Sequence, residues 1–415
     1  MSNLKEVSKN TIFQMIAKGA TVSVSLFITA LITRQLTVFD YGEFIKIMSF
    51  VSIFYLIADF GFNATFLKLT PPDKIKDDFN KFFALRFIIS SLLTLICILI
   101  ALSLPYNASG STGFSNSVKF GIFLASFTIL FQGLYNALNA IFQKNLRYDL
   151  SSVATIISSV ATLILVILVI PFKNIYLLVL SYTFANIVLF LVSYKLLNKL
   201  TYKPKFVFDK TYSKSLSLSS ISLGVALVIN LIYFRIDTII LGFIRSPEEV
   251  GFYGLAYRIF ETVLVVPIFF SNALFPVFLN HLNDKKVLIR IFKKSVLLLS
   301  VVSIALSLVF FLTAGLIINL ISGPSFSSSA NILRILSLGY PFFFLSAIVM
   351  WLLITFNKQK ILSILYLVVG TANCVANLYF IPQYGAYASA YITVISEVLI
   401  LVGGSIILIH KLKND

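Results

Sequence analysis

Residues 295–333 read SVLLLSVVSIALSLVFFLTAGLIINLISGPSFSSSANIL, without a single charged side chain. A helix crosses the hydrocarbon core of a bilayer in about 20 apolar residues, so this one run is long enough to span it. It is not alone. Residues 87–118, 120–143, 150–172, 174–194, 215–234, 262–283, 335–357 and 361–396 are also free of charge. The whole chain of 415 residues is 59% hydrophobic and 12% charged, against about 25% charged in a soluble domain. Backbone groups in lipid must be satisfied within their own segment, which predicts helices; a barrel would show alternating segments of about ten residues, and none is seen.

The expected architecture is all-α and integral to the membrane, with about twelve transmembrane helices at residues 10–32, 42–66, 82–104, 118–142, 150–170, 174–196, 215–243, 250–276, 290–318, 330–356, 360–381 and 386–410. Lys5 and Lys9 precede an apolar stretch as in a signal peptide, but the stretch runs to Ile32 without a small-residue cleavage site, so the first helix is expected to be retained. Cys97 and Cys374 lie far apart inside apolar runs and read as small buried hydrophobes rather than as metal ligands or a disulfide pair.

A net charge of +17 would suit a nucleic-acid partner, but its distribution argues against one. Most of the 33 Lys and Arg fall at the two ends and in the connections after even-numbered spans: Lys74, Lys76 and Lys81; Lys144 and Arg147; Lys195 to Lys214; Lys285 to Lys294; Lys358 and Lys360; Lys411 and Lys413. The opposite connections hold little beyond Lys119, Lys173 and Arg245. This is the positive-inside pattern and predicts that both termini are cytoplasmic. The basicity reads as topological, with any contact to anionic lipid heads a by-product.

The longest basic connection, 195–214, divides the chain into two expected bundles of six helices, 1–205 and 206–415, related as parallel repeats. Local sequence agrees. An acid shortly precedes a glycine that opens the next span at Asp40-Tyr41-Gly42 and at Glu249-Val250-Gly251, and Ile-Pro closes spans 5 and 11 at Pro171 and Pro382. Parallel six-helix repeats are a transporter architecture.

Charge inside a membrane costs roughly 2.5–3.5 kcal/mol per residue on insertion scales, so it faces a cavity or a partner. Lys18 falls in span 1, Asp59 in span 2, Arg235 and Asp237 in span 7, Arg258 and Glu261 in span 8, with Glu397 in span 12 as the exception to the repeat. Helical spacing adds polar stripes: Gln14, Lys18, Thr21, Ser25 and Thr29; Ser52, Tyr55, Asp59 and Asn63; Asn230, Tyr233 and Asp237; Tyr257 and Glu261. Arg258 is three residues from Glu261 and within pairing range, whereas Arg235 and Asp237, two apart, point to different faces. A hydrated cavity lined by these spans is one reading. Against it stand snorkelling for Lys18, Arg34, Lys46 and Arg245, structural ion pairing for Asp237, Arg258 and Glu261, and interhelical glue for Gln132, Asn136, Asn139 and Gln143.

Tyr233-Phe234-Arg235-Ile236-Asp237, Ile240-Leu241-Gly242, Glu249-Val250-Gly251-Phe252-Tyr253, Ala256-Tyr257-Arg258, Ala58-Asp59-Phe60-Gly61 and Pro382-Gln383-Tyr384-Gly385-Ala386 resemble the polysaccharide-biosynthesis flippases, the O-antigen and repeat-unit translocases of the multidrug/oligosaccharidyl-lipid/polysaccharide exporter superfamily. The resemblance implies a V-shaped, MATE-like pair of bundles around a cationic cavity. It also implies a polyprenyl-pyrophosphate-linked oligosaccharide as substrate, moved from the inner to the outer leaflet of a bacterial inner membrane by alternating access, in contact with polysaccharide or lipopolysaccharide assembly machinery. Lys18, Arg34, Arg235 and Arg258 match the basic residues that would take the anionic head. Span 2 departs from the pattern, offering only Lys46 near its outer end. Asp59, Asp237 and Glu261 are candidates to bind a coupling H⁺ or Na⁺; no other cofactor and no metal is expected. Without a Walker loop or a cytoplasmic segment long enough for a nucleotide-binding domain, movement would follow ion or electrical gradients. A multidrug or cation antiporter of the same superfamily is the nearest rival. A polytopic glycosyltransferase or polymerase is the next, and it would need a sizeable soluble loop, whereas the outer connection at 105–118 carries no carboxylate.

Overall fold

The charge-free runs fold as helices, which close their own backbone hydrogen bonds. The computed structural model describes residues 2–108, 112–282 and 284–414, with their side chains except at positions 2–13, 16, 56, 226, 230–232 and 414. In chain order the helices are α1 (Ser2–Gln35), α2 (Val38–Asp59), α3 (Phe62–Leu69), α4 (Ile75–Ser103), α5 (Asn116–Lys144), α6 (Tyr148–Val169), α7 (Ile175–Leu197), α8 (Lys210–Ile244), α9 (Pro247–Val263), α10 (Val265–Asn280), α11 (Lys285–Ser322), α12 (Ser328–Ser337), α13 (Tyr340–Thr355), α14 (Gln359–Tyr384) and α15 (Ala386–Asn414). A two-stranded antiparallel hairpin, β1 (Tyr106–Asn107) with β2 (Thr112–Gly113), sits between α4 and α5.

Among the described residues ten helical segments are long and apolar enough to cross a membrane, or eleven when α12 and α13, bent by 41°, are taken as one span. With α1, these segments follow the twelve expected spans. Three of the spans are broken. Pro267 has no N–H to offer the Val263 carbonyl, and α9 gives way to α10 at Leu264. Between α2 and α3, Phe60 and Gly61 both turn to positive φ, 35° and 70°. A Cβ on Gly61 would lie 2.8 Å from the Leu223 side chain, and one on Gly224 would lie 2.4 Å from the Phe60 ring. The break in α2 and the course of α8 are therefore fitted to each other.

The exposed surface identifies the solvent. On α11, Leu297, Val301, Ile304, Leu308, Leu312, Leu316 and Leu320 are all exposed. Soluble monomers do not present apolar stripes of this length to water, so the surface is lipid-facing.

Packing divides the chain into two compact units, Met1–Leu36 with Glu43–Leu231, and Thr37–Gly42 with Ile232–Asp415. This division falls inside α8, downstream of the basic connection that separates the halves in sequence. The first unit is centred on Phe62, Phe66, Phe79, Phe82, Leu138, Ile141 and Phe142, with the Phe66 and Phe82 rings stacked at 4.5 Å. The second is built around Phe260, stacked at 4.9 Å on Tyr340 and set edge-on to Phe343.

The two glycines aligned by the sequence repeat meet within the second unit. A Cβ on Gly42 would stand 1.7 Å from the Pro247 carbonyl oxygen, and one on Gly251 would stand 2.8 Å from that of Val38. Both obstacles are backbone and cannot rotate away. Gly42→Val is expected to cost about 2–3 kcal/mol and to lower the unfolding midpoint of the detergent-solubilised protein. A midpoint equal to that of the parent would show that the crossing is looser than this contact requires.

Candidate functional site

In the first unit the polar groups gather where α2 breaks. Arg86, on α4, is fully buried. Its Nη1 donates to the carbonyl of Ala58 at 2.6 Å and to that of Asp59 at 3.2 Å, its Nε to the carbonyl of Gly133 at 3.4 Å, and its Nη2 to Asp59 Oδ1 at 3.4 Å. A helix C-terminus presents unsatisfied carbonyls and partial negative charge, and a guanidinium meets both needs. The two bonds to the carbonyls that end α2 are shorter than the contact to the Asp59 carboxylate, so Arg86 is first a cap for the broken helix and only second an ion-pair partner. Asn136 Nδ2 also reaches Asp59 Oδ1 at 3.4 Å, and Asn63 Nδ2 donates to the Asn136 carbonyl at 2.9 Å. Asn136 thus joins α2, α3 and α5.

At the other end of α2, Glu43 and Lys46 are both buried. Glu43 accepts from Ser115 Oγ at 2.8 Å and Ser117 Oγ at 3.1 Å, while Lys46 Nζ donates to the Gly113 carbonyl at 3.1 Å. Buried in this way, Lys46 does not snorkel; it ties α2 to the β-hairpin.

The α1 stripe is less enclosed. Gln14, Lys18 and Arg34 are exposed, and Ser25 is half-buried. Thr21 and Thr29 turn their hydroxyls onto the carbonyls of Lys18 and Ser25 in their own helix, at 2.9 Å each. Tyr55 is half-buried on α2. The side chain of Asn230 lies outside the described residues.

In the second unit Arg235 and Asp237 part company, as their two-residue spacing requires. Arg235 Nη2 donates to Glu261 Oε1 at 2.9 Å, and its guanidinium lies 5.9 Å from the Tyr257 ring. Arg258 Nη1 approaches the other oxygen of Glu261 at 3.8 Å. One carboxylate therefore sits between two guanidinium groups. All three side chains are partly exposed, at 30% for Arg235, 44% for Arg258 and 36% for Glu261.

Asp237 points the opposite way and is buried. Tyr253 donates to its Oδ2, Thr393 Oγ1 donates to the same oxygen at 3.2 Å, and the Thr238 N–H donates to Oδ1 at 2.6 Å. One turn away along α15, Glu397 is also buried and accepts from Tyr233 OH at 2.7 Å and from Ser346 Oγ. α8 and α15 thus exchange donors: each carries one hydroxyl and one carboxylate four residues apart, and each carboxylate takes the other helix's hydroxyl. Tyr257 is buried as well, donating to the Phe234 carbonyl at 3.2 Å. Tyr233 and Asp237 belong to this interior network, while Tyr257, which shares a stripe with Glu261, is buried between that network and the Arg235 guanidinium.

Two further charged residues near helix ends do more than snorkel. Arg245 Nε donates to the Ile381 carbonyl at the end of α14 at 3.0 Å, and Glu249 Oε2 accepts from the Ala386 N–H at the start of α15 at 3.2 Å. Between them they hold the turn at Gly385.

Lipid-facing helices, spans broken at glycine and proline, and charge clusters at part-exposed sites define a multi-pass, all-helical membrane protein. The family profile described as "Polysaccharide biosynthesis protein" matches residues 7–282, so the chain belongs to that family. The MatE profile matches residues 222–379. Among solved structures the chain is similar to the lipid II flippase MurJ in an inward closed conformation, with TM-score 0.74, 16% identity, and 96% of this chain and 87% of that chain covered. It is also similar to an inward-facing multidrug resistance MATE family transporter of the MOP superfamily (TM-score 0.69, 15% identity, 97% and 99% covered). A MOP superfamily transporter from Pyrococcus furiosus is a third (TM-score 0.62, 14% identity, 99% and 96% covered). No curated protein sequence matches the chain. At these identities the structural likeness concerns the fold.

Proposed function

We propose that the protein is a flippase that carries an anionic, lipid-linked oligosaccharide across a bacterial inner membrane, from the cytoplasmic to the outer leaflet, by alternating access. The observation that carries this reading is the part-exposed cluster of Arg235, Arg258 and Glu261, where two cations face one anion. Such a site suits a pyrophosphate, because guanidinium forks match phosphate oxygens. Membership of a polysaccharide biosynthesis family supports the sugar cargo, and Lys18 and Arg34 are further exposed cations in the first unit. A sugar hydroxyl taken into hydrocarbon without a partner costs on the order of 2–7 kcal/mol, so the cargo needs a polar route while its polyprenyl tail stays in lipid. Outward movement of each negative charge gains roughly 2.3 kcal/mol per 100 mV, inside negative. Asp59, Asp237 and Glu261 are the proposed sites for a coupling H⁺ or Na⁺, and polysaccharide assembly enzymes are the proposed partners.

The MatE match over residues 222–379 favours one rival, export of small cations. Proteoliposomes holding the purified protein separate the two readings. The flippase reading expects a polyprenyl-pyrophosphate oligosaccharide to reach the far leaflet faster than in protein-free vesicles, with no movement of a cationic dye. Dye transport without lipid transport would overturn it in favour of the antiporter.

A further inference from the structure

Between Leu200 and the start of α8, residues 201–209 form a non-helical strap laid along the beginning of α4. Four contacts hold it there. The Tyr202 and Phe79 rings meet at 6.1 Å, and the Lys205 N–H donates to Asn80 Oδ1 at 2.8 Å. Asp209 pairs with Lys81 at 2.8 Å, and Phe206 sits edge-on to Phe87 at 5.7 Å. Phe87 opens the charge-free run of α4, whose exposed Leu92, Leu95 and Leu99 continue into lipid. The last contact therefore places Phe206 at the rim of the hydrocarbon.

Two opposed constraints fix the same depth. Phe206, Val207 and Phe208 are consecutive and exposed, at 58%, 42% and 55%, an apolar face that water does not favour. The backbone carrying them is non-helical, and lipid-exposed irregular chain is excluded from hydrocarbon. Only the boundary between headgroups and acyl chains accommodates both. Lys203, Lys205, Lys210 and Lys214, on the same segment, are exposed. Asp209, the single acid between Thr201 and Lys214, is taken by Lys81, whose hydrogen bond holds the carboxyl below its ordinary range and keeps it ionised and paired.

We propose that residues 201–214 are an interfacial anchor that selects anionic phospholipid: the four lysines bind headgroup phosphates while Phe206, Val207 and Phe208 enter the acyl boundary. The basic charge here is then a binding surface and not only a topological signal.

The test is native mass spectrometry of the full-length protein in neutral detergent with equal amounts of phosphatidylglycerol and phosphatidylcholine. Phosphatidylglycerol should be retained over phosphatidylcholine by about fivefold or more. The variant K203Q/K205Q/K210Q/K214Q should lose most of that preference. K285Q/K286Q/K293Q/K294Q, at the start of α11, where Val287, Leu288 and Ile289 are helical and none is exposed, should keep it. F206S/F208S should lower the total phospholipid retained while leaving the ratio in place. If the first quadruple variant does not fold, K203Q and K205Q made singly should each lower the ratio. Equal retention of the two lipids by the parent protein, or equal loss in both quadruple variants, overturns the anchor. Preference for a water-soluble pyrophosphate over either lipid overturns it too, by pointing to cargo.

Discussion

Arg86→Met is expected to remove most of the folded protein, with a loss of about 3–5 kcal/mol, because it deletes the charged partner of a buried network and keeps only the bulk. The Ala58 and Asp59 carbonyls would lose their donors, and the Asp59 carboxylate would keep only its long contact to Asn136. A break in a transmembrane helix is tolerated only where something else satisfies the freed backbone. Here that is a guanidinium reaching across from α4. Arg86→Lys should recover part of the loss, since an ammonium restores charge but not the fork that spans several oxygens. Asp59→Asn should be milder than either, because Asp59 is partly exposed and its carboxylate lies 3.4 Å from Arg86, farther than the two α2 carbonyls that would keep their donor. Unfolding midpoints in one detergent give this ranking directly. If Asp59→Asn proves as damaging as Arg86→Met, the ion pair and not the helix cap holds the break together.

Arg235→Gln is expected to behave in the opposite way, sparing the fold and removing transport. Its bond to Glu261 is part-exposed, and pairs of that kind contribute about 0–1 kcal/mol to stability. Its loss would remove one of the two guanidinium groups at Glu261 and leave the contact from Arg258 at 3.8 Å. A charge-assisted contact of about 1.5–3 kcal/mol corresponds to roughly a 10- to 100-fold fall in the rate at which lipid-linked oligosaccharide is moved. Arg258→Gln should lower the rate in the same direction, and the double variant further. Transport at the parental rate in that double variant would remove this cluster from the head-group site and leave the flippase proposal resting on the first unit.

The two variants mark the difference between what is local and what is not. Helical class follows from run length, a local property. So does the parting of Arg235 from Asp237, because residues two apart cannot share a helical face. The pairing of Arg258 with Glu261 was legible in the same way, from a spacing of three. The resemblance drawn from Tyr233 to Asp237 and from Glu249 to Tyr253 agrees with the family match over residues 7–282. Arg86 escaped this reading because it lies next to the charge-free run 87–118, where an arginine looks like the edge of a span. Its position within the expected span 82–104 was the available signal. Its targets are carbonyls on another helix, and a carbonyl has no letter in a sequence.

By itself the sequence determined the helices, their apolar lengths and which neighbours on one helix share a face, since each depends on residues within a turn or two of one another. Only the tertiary structure decided where α2 breaks against Leu223, that Lys46 serves a hairpin carbonyl, and that Asp237 and Glu397 are interior partners of hydroxyls while Arg235 and Glu261 stay part-exposed. A polar side chain in a membrane must find a partner. Which partner it finds is set by the helix packed beside it, and that helix comes from elsewhere in the chain.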